Sequence, residues 1–213
     1  MLFRSRLLAF KPHHLVRLDP SAPLAHVHPD HRRRARRAAE RVEVEVVESP
    51  GAHAFDWVRL YSGLRARHGI QGAADFPEAA LAAQLELPGM MLVRAVQDAR
   101  TISIATWCVS GGRAHYHLGA SDEQGYAAQA AYAVFATSLH ALAARGVTWV
   151  DLGGAAGGVA VEDGLARFKR GWANDVADAW LGGRVLAPQR YARLVHGRAP
   201  GAWFPAYRAP VAA

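Results

Sequence analysis

Residues 91–120, MLVRAVQDARTISIATWCVSGGRAHYHLGA, contain three runs of strand-forming residues separated by two short turns. The runs 91–96, 102–109 and 113–120 are rich in β-branched, aromatic and other apolar residues. DAR at 98–100 and Gly111-Gly112 separate them, and turns this short join neighbouring antiparallel strands. The stretch therefore predicts a three-stranded antiparallel meander within the fold.

Helical and strand patterns lie on both sides of this meander. Before it, FDWVRLYSGLRARHG (55–69) and FPEAALAAQLE (76–86) predict two helices. After it, an alanine-rich stretch predicts a long helix over 126–145, and the apolar run VTWVDL (147–152) predicts a central strand. Alternation, capping residues and turns predict the outer elements, namely strands over 13–20, 42–47 and 177–186 and helices over 30–41 and 163–171.

The order of these elements predicts an α/β (α+β) fold with a mixed, mostly antiparallel central sheet flanked by helices. No internal repeat or linker divides the sequence. We therefore expect one domain over 1–213, with an N-terminal arm at 1–29 and a C-terminal tail at 187–213.

Composition excludes several classes of protein. The chain has 213 residues, of which 51% are hydrophobic and 20% charged, which is typical of a globular domain and not of a disordered or fibrous one. Its one cysteine, Cys108, excludes an intramolecular disulfide and a cysteine-rich zinc site. No apolar run is long enough for a membrane span or a secretory signal, so we expect a cytoplasmic protein without a transmembrane segment.

Positive charge is concentrated near the N-terminus. The formal net charge is +7, and residues 1–41 hold ten Lys or Arg against Asp19, Asp30 and Glu40, which accounts for all of it. The residues Arg33, Arg34 and Arg37 could bind tRNA or a phosphorylated ligand. The alternative is a solvated helix face, because Ala35, Ala38, Ala39 and Val42 have the spacing of a buried helical stripe.

Four stretches resemble one family in their order and spacing. They are HRRRARRAAERVEVEVVE (31–48), YHLGASDEQGY (116–126), GVTWVDLGGAAGG (146–158) and GLARFKRGW (164–172). Together they resemble the GNAT (Gcn5-related N-acetyltransferase) superfamily, and within it the FemAB branch of peptidyltransferases and their BioF2-like relatives. FemAB proteins typically have two such halves, and this chain resembles mainly the second.

The resemblance implies transfer of an acyl group, such as acetyl, from acyl-CoA to an amine acceptor, either a small molecule or a peptide. It places the donor at the junction 119–127, where the N–H groups that begin a helix suit an anion. The candidate donor-binding residues are Gly119, Ala120, Ser121, Gln124, Gly125 and Tyr126. Asp122 and Glu123 depart from the family pattern, because two carboxylates would repel a pyrophosphate; they could instead cap the helix.

Three residues are candidates for catalysis. Lys169 stands where the resemblance puts the reacting carbonyl, in a chain with twenty-three arginines and only two lysines, and it could stabilise an oxyanion. It could also simply end a helix. His117 is a candidate acid or base that could instead make a structural hydrogen bond, and Asp151 could be a base or could cap the glycine loop 153–158. Cys108 is expected to be a buried small side chain.

No set of side chains is spaced to close a metal site, so no metal is expected. Two alternatives to the acyl-CoA enzyme remain open. One is a FemAB-type aminoacyltransferase that uses aminoacyl-tRNA, which the basic N-terminal region favours. The other is a non-catalytic nucleic-acid-binding module on the same fold. The sequence predicts neither the acceptor nor the oligomeric state.

Overall fold

The computed structural model of the chain describes residues 5–155, 164–196 and 204–208, without the side chains of residues 5, 6, 73 and 208. Within those ranges seven strands form one mixed sheet, and helices pack on both of its faces. The strands are β1 (Ser5–Arg17), β2 (Glu43–Val47), β3 (Met90–Gln97), β4 (Arg100–Ser110), β5 (Arg113–Ser121), β6 (Trp149–Asp151) and β7 (Asp175–Arg184). The helices are α1 (Pro29–Ala39), α2 (Ala54–His68), α3 (Glu78–Leu85), α4 (Glu123–Ala127), α5 (Ala130–Ala144), α6 (Gly164–Trp172) and α7 (Pro188–Leu194).

The sheet has the strand order β2-β3-β4-β5-β6-β1-β7. Each neighbouring pair is antiparallel except β5 and β6, which are parallel and are connected through α4 and α5. The predicted meander and the mixed, mostly antiparallel sheet are therefore confirmed.

Two apolar clusters cover the two faces of the sheet. The larger lies on the side of α1, α5 and α6 and includes Trp107, Phe135 and Trp172, all almost fully buried. The smaller lies on the side of α2 and α3 and is centred on Trp57 and Leu81. Alternating strand residues supply both clusters, since successive side chains on a strand point to opposite faces.

The structure differs from the sequence prediction at both ends of the chain. The sequence predicts an arm over 1–29, whereas β1 lies inside the sheet between β6 and β7, with Leu15 and Val16 buried. The predicted strand over 13–20 overlaps this longer strand over 13–17, and the bulge between Ala9 and Lys11 disturbs the alternation that a sequence pattern relies on. The predicted tail likewise contains α7.

The long helix predicted over 126–145 is two helices. The short helix α4 ends at Ala127, and α5 begins at Ala130. Between them Gln129 has a φ of 55°, in the left-handed region that no continuous helix contains. The break turns the chain after β5 while leaving α5 packed on the larger cluster.

Candidate active site

Strands β5 and β6 pair briefly and then separate. They are in parallel register only over Arg113–His115 and Trp149–Asp151. The ladder between β4 and β5 has a bulge opposite Thr106 and Trp107, where His117 is the extra residue, and bulges bend the strand that carries them. After Asp151 the chain follows β1 instead, through the hydrogen bond from Leu152 N to His14 O. The two strands therefore part between the end of β5 and the loop after β6.

The loop after β6 is held by polar contacts from three elements. Of the predicted glycine loop 153–158, the structure describes residues 153–155, and 156–158 lie outside the described residues. Asp151 Oδ1 accepts from Gly153 N at 2.6 Å. The two lysines of the chain donate to consecutive carbonyls of the loop: Lys169 Nζ to Gly154 O at 2.7 Å and Lys11 Nζ to Ala155 O at 3.1 Å. The loop backbone is therefore fixed beside the separation of the strands.

Lys169 brings a cation into the interior at this point. Its side chain comes from α6 and is only 7% exposed, and Nζ lies 5.7 Å from the centre of the Tyr116 ring on β5. Burial raises the pKa of Tyr116, so that this ring stays neutral. Burial, and then the charges of Lys169 and Arg170, lower the pKa of His14. Lys169 thus faces the separating strands rather than only ending a helix.

A second polar cluster, which we call the imidazole–carboxylate cluster, consists of His13, His115 and Asp151. His13 Nδ1 lies 2.9 and 3.0 Å from the two oxygens of Asp151, and His115 Nδ1 lies 3.3 Å from Oδ2. Burial by itself would raise the pKa of Asp151, but contacts with His115, His13 and Gly153 N–H hold it well below its usual range. Asp151 therefore remains an anion that caps the loop and pairs with two histidines.

His117 does not join either group. Its Nε2 lies 3.0 Å from Gln84 Oε1 on α3, and its ring lies near Phe76. Burial, and then His115, lower the pKa of His117, so it is held neutral. In the part of the chain that the structure describes, His117 makes no hydrogen bond to Lys169 or Asp151, which favours the structural alternative.

The junction 119–127 is closely packed. A Cβ on Gly119 would lie 2.3 Å from Tyr116 Oη, and a Cβ on Gly125 would lie 2.2 Å from Ile102 O. Ser121 Oγ is hydrogen-bonded to Ser103 Oγ, and Ala120 belongs to the smaller apolar cluster. These small residues allow close approach of neighbouring protein atoms, and their binding of a donor stays a prediction.

The acidic residue at this junction is compensated. Asp122 caps α4 by accepting from Gly125 N at 3.0 Å, and its Oδ2 lies 3.3 Å from Arg59 and 3.2 Å from Arg100. Gln124 and Tyr126 are exposed, and the Arg67 guanidinium lies 4.5 Å from the centre of the Tyr126 ring. The helix terminus already holds an anion that belongs to the protein.

The arginines of α1 divide into two groups. Arg34 donates to Asp30 at 2.6 Å and lies over the Tyr132 ring, and Arg33 also pairs with Asp30. Arg33 and Arg37 are exposed, whereas Ala35 and Ala38 are buried against the larger cluster. Of the predicted stripe, Ala35 and Ala38 are buried on the helix and Val42 is buried just after it, whereas Ala39 is exposed; the helix also has a solvent-facing basic surface.

A family comparison adds to this geometry. Residues 27–170 match the family model described as "Acetyltransferase (GNAT) domain". The chain belongs to the GNAT acetyltransferase family. The matched range includes β5, β6 and Lys169, whereas β1, which carries Lys11 and His13, lies before it. No curated protein matches the chain.

Several solved structures share this fold. The chain is similar to FemX (13% identity, TM-score 0.67, covering 86% of this chain and 63% of FemX). It is also similar to the C-terminal domain of a putative lysylphosphatidylglycerol synthetase from Agrobacterium fabrum (17%, TM-score 0.65, 84% and 61%). L-PGS from Bacillus licheniformis is a third (12%, TM-score 0.58, 90% and 66%). The chain thus spans about three fifths to two thirds of the length of these relatives.

Sequence reasoning missed His13, His115, Lys11 and Tyr116 as parts of the site. The register of β1 with β6 brings His13 to Asp151, and only the three-dimensional pairing shows it. The sequence could have indicated Lys11, because it is one of only two lysines in the chain. Cys108 is exposed on β4, not buried as expected.

Two features are absent among the described residues. No group of three His, Cys, Asp or Glu side chains among them is arranged to hold a metal ion. None of the helices within residues 5–155, 164–196 and 204–208 has the length and apolar character that crossing a bilayer requires.

Proposed function

We propose that this GNAT-family chain is an N-acyltransferase whose reaction takes place where β5 and β6 separate. The observation that carries the proposal is the buried Lys169 ammonium, which lies between the loop carbonyl of Gly154 and the Tyr116 ring. A buried cation beside an opening in the sheet suits the negative charge that develops on an acyl carbonyl oxygen under attack.

Acyl transfer to an amine needs few groups from the protein. The N–C bond forms, the C–S or C–O bond of the donor breaks, and the acceptor ammonium must first lose a proton. In this proposal Lys169 swings from Gly154 O toward the oxyanion, and the fixed loop backbone lines the site. The acceptor is a primary amine of a small molecule or a peptide.

Acyl-CoA is the first candidate donor, and the match to an acetyltransferase family supports it. Its pyrophosphate would approach the start of α4, near Gln124 and Tyr126. Asp122 now occupies that terminus, so binding requires the donor to compete with Asp122 for Arg59 and Arg100. The two arginines offset the repulsion that Asp122 would otherwise exert.

Aminoacyl-tRNA is the second candidate donor, and two observations favour it. The terminus of α4 is already capped by Asp122, which disfavours a pyrophosphate there. Arg33 and Arg37 are exposed on α1, and exposed arginines suit a phosphate backbone. The likeness to FemX and to lysylphosphatidylglycerol synthetases is consistent with this donor class.

The test starts from donor binding and ends on product. The melting temperature of the chain is measured with acetyl-CoA, longer acyl-CoAs and bulk tRNA, since a ligand that binds the folded state stabilises it. Each ligand that stabilises the chain is then supplied as the acyl-CoA or the aminoacyl-tRNA and incubated with a panel of amines. New amides are identified by mass spectrometry. Amide formation by the parent chain supports the proposal. Stabilisation by tRNA without amide formation from any donor would instead indicate a non-catalytic nucleic-acid-binding module.

A further inference from the structure

The imidazole–carboxylate cluster of His13, Asp151 and His115 lies at the last paired residues of β5 and β6. Asp151 is directly paired with His115 on β5 and with Leu15 on β1, so their side chains share the face that carries α2 and α3. Tyr116, the next residue along β5, belongs to the opposite face with Lys169. The cluster and the lysine thus lie on opposite sides of the point where the strands separate.

The protonation of this cluster follows from its contacts. Asp151 is held as an anion, and a carboxylate can only accept hydrogen bonds. His13 Nδ1 faces that carboxylate at hydrogen-bond distance, so Nδ1 carries the hydrogen and Nε2 keeps its lone pair. The Nδ1 of His115, 3.3 Å from Asp151, has the same orientation. With both histidines uncharged, the cluster therefore carries one negative charge, and each histidine has a lone pair on Nε2.

Exposure separates the two histidines. The side chain of His115 is 49% exposed, whereas that of His13 is 19% exposed. A substrate can therefore reach Nε2 of His115 from solvent, while His13 mainly orients the carboxylate. One proton taken up by His115 converts the cluster into an ion pair with Asp151 beside it, which stabilises the imidazolium.

We propose that His115 is the base that removes a proton from the acceptor ammonium, with Asp151 and His13 as positioning residues. The proposal rests on the proposed function. The ammonium N–H bond breaks and its proton moves to His115 Nε2; the freed amine then forms the N–C bond. As the intermediate collapses, the C–S or C–O bond breaks and one of the two protons left on nitrogen goes to the leaving thiolate or ribose oxygen, while the other stays on the amide. The acceptor reaches the reacting carbonyl from the side of α2 and α3, opposite Lys169.

The kinetic test compares two kinds of acceptor. With an acceptor that is an ammonium ion at neutral pH, His115→Gln should lower kcat by about 10²–10⁴-fold, the range for loss of a general base. With hydroxylamine, which is largely uncharged at neutral pH, the same variant should remain within a few-fold of the parent after the uncatalysed rate is subtracted. Free imidazole should partly restore the kcat of His115→Ala with the ammonium acceptor. His140→Gln, a change to an exposed histidine on α5, is the matched control and should act like the parent.

A second measurement does not require activity. In ¹⁵N-histidine-labelled protein, long-range ¹H–¹⁵N correlations should show the hydrogen of His13 on Nδ1, and Asp151→Asn should change that tautomer. A hydrogen on Nε2 of His13 in the parent would overturn the proposed geometry. Parental turnover of ammonium acceptors by His115→Gln, in a chain that does transfer acyl groups, would overturn this proposal alone. A parent that transfers no acyl group would overturn the proposed function as well.

Discussion

Gly125 shows how a single residue closes the junction between β5 and α4. A Cβ at this position would lie 2.2 Å from the Ile102 carbonyl oxygen and 3.0 Å from Ser121 Cβ. The first of these is a backbone atom of a central strand, which cannot move aside as a flexible side chain can. Gly125 is therefore needed for packing, and a substitution there tests stability rather than donor binding.

Gly125→Ala should destabilise the fold by about 1–3 kcal/mol, the usual cost of forcing an extra carbon into a packed interior. Urea unfolding measures the free energy. Gly63→Ala is the matched control, since Gly63 lies on α2 with nothing within 4 Å of an added Cβ. Gly63→Ala should stabilise the fold by about 0.5–1 kcal/mol, because alanine favours a helix more than glycine does. Equal effects of the two changes would contradict the packing argument.

The scarcity of lysines, together with the family resemblance, indicated Lys169, because a chain with so many arginines has only two lysines. It could not indicate that both lysines donate to adjacent carbonyls of one loop. His13 was equally hidden, since its partner Asp151 is 138 residues away along the chain. Local patterns contain no information on such long-range pairs.

At the scale of elements, α1 combines a packing face with a basic face. Asp30 and Tyr132 hold Arg34, so that this residue serves the helix and its contact with α5. The hydrogen bond from Arg34 is the largest cause of the lowered pKa of Asp30, and the low pKa keeps this carboxyl group ionised. Arg33 and Arg37 face solvent, although Arg33 also pairs with Asp30. Of the three predicted anion-binding residues, Arg33 and Arg37 are thus the better placed.

Replacing Arg33 and Arg37 together with Ala should weaken tRNA binding, and the loss should shrink as salt rises. Removing two phosphate contacts should make the slope of log K against log salt less steep by about 1.5. Filter binding at several salt concentrations measures it. The control is Arg190→Ala with Arg193→Ala on α7, which removes the same charge from two exposed positions. Unchanged tRNA binding by the α1 variant, or equal loss in both, would show that α1 is only a solvated face.

The sequence predicted most elements to within a few residues, because their alternation and helical spacing are strong. It missed the break at Gln129, since alanine-rich sequence on both sides favours one continuous helix and nothing local requires a left-handed residue there. It also predicted an arm over 1–29, where the structure has a long strand within the sheet. The long strand β1 mixes apolar, basic and histidine residues, so its polarity does not reveal its position within the sheet.

At the scale of the whole molecule, the family match covers less than the folded unit. Residues 27–170 match the GNAT family model, but β1 and β7 complete one side of the sheet. The strand β1 also supplies His13 and Lys11 to the site. The fold class and the family could be predicted from the order of motifs, whereas the strand order at this side required the structure.

A fragment of residues 27–170 should therefore fail to fold cooperatively. It lacks Leu15, Val16 and Leu18, which are at most 5% exposed. Each buried side chain of this size contributes about 1.5–3 kcal/mol. The sum of about 5–9 kcal/mol is comparable with the whole stability of a typical domain. Calorimetry of the fragment beside the full chain checks this, and a sharp transition in the fragment would contradict the role of β1.

In the proposed reaction, acyl transfer occurs where β5 and β6 separate, and Lys169 acts on the transition state. Lys169 and Lys11 make the same kind of hydrogen bond to neighbouring carbonyls, but only Lys169 lies over the Tyr116 ring at the separation. Lys11→Met is therefore a matched control for Lys169→Met. Each change removes one ammonium from the loop, so a purely structural role predicts similar losses from both.

The decisive measurement is kcat and the donor KM of the two variants, with melting temperatures recorded on the same samples. Lys169→Met should lower kcat by about 10²–10³-fold, the range for loss of one oxyanion donor, with little change in donor KM. Lys11→Met should melt lower than the parent and turn over at nearly the parental rate. A Lys169→Met variant that melts lower yet keeps the parental kcat would contradict the account.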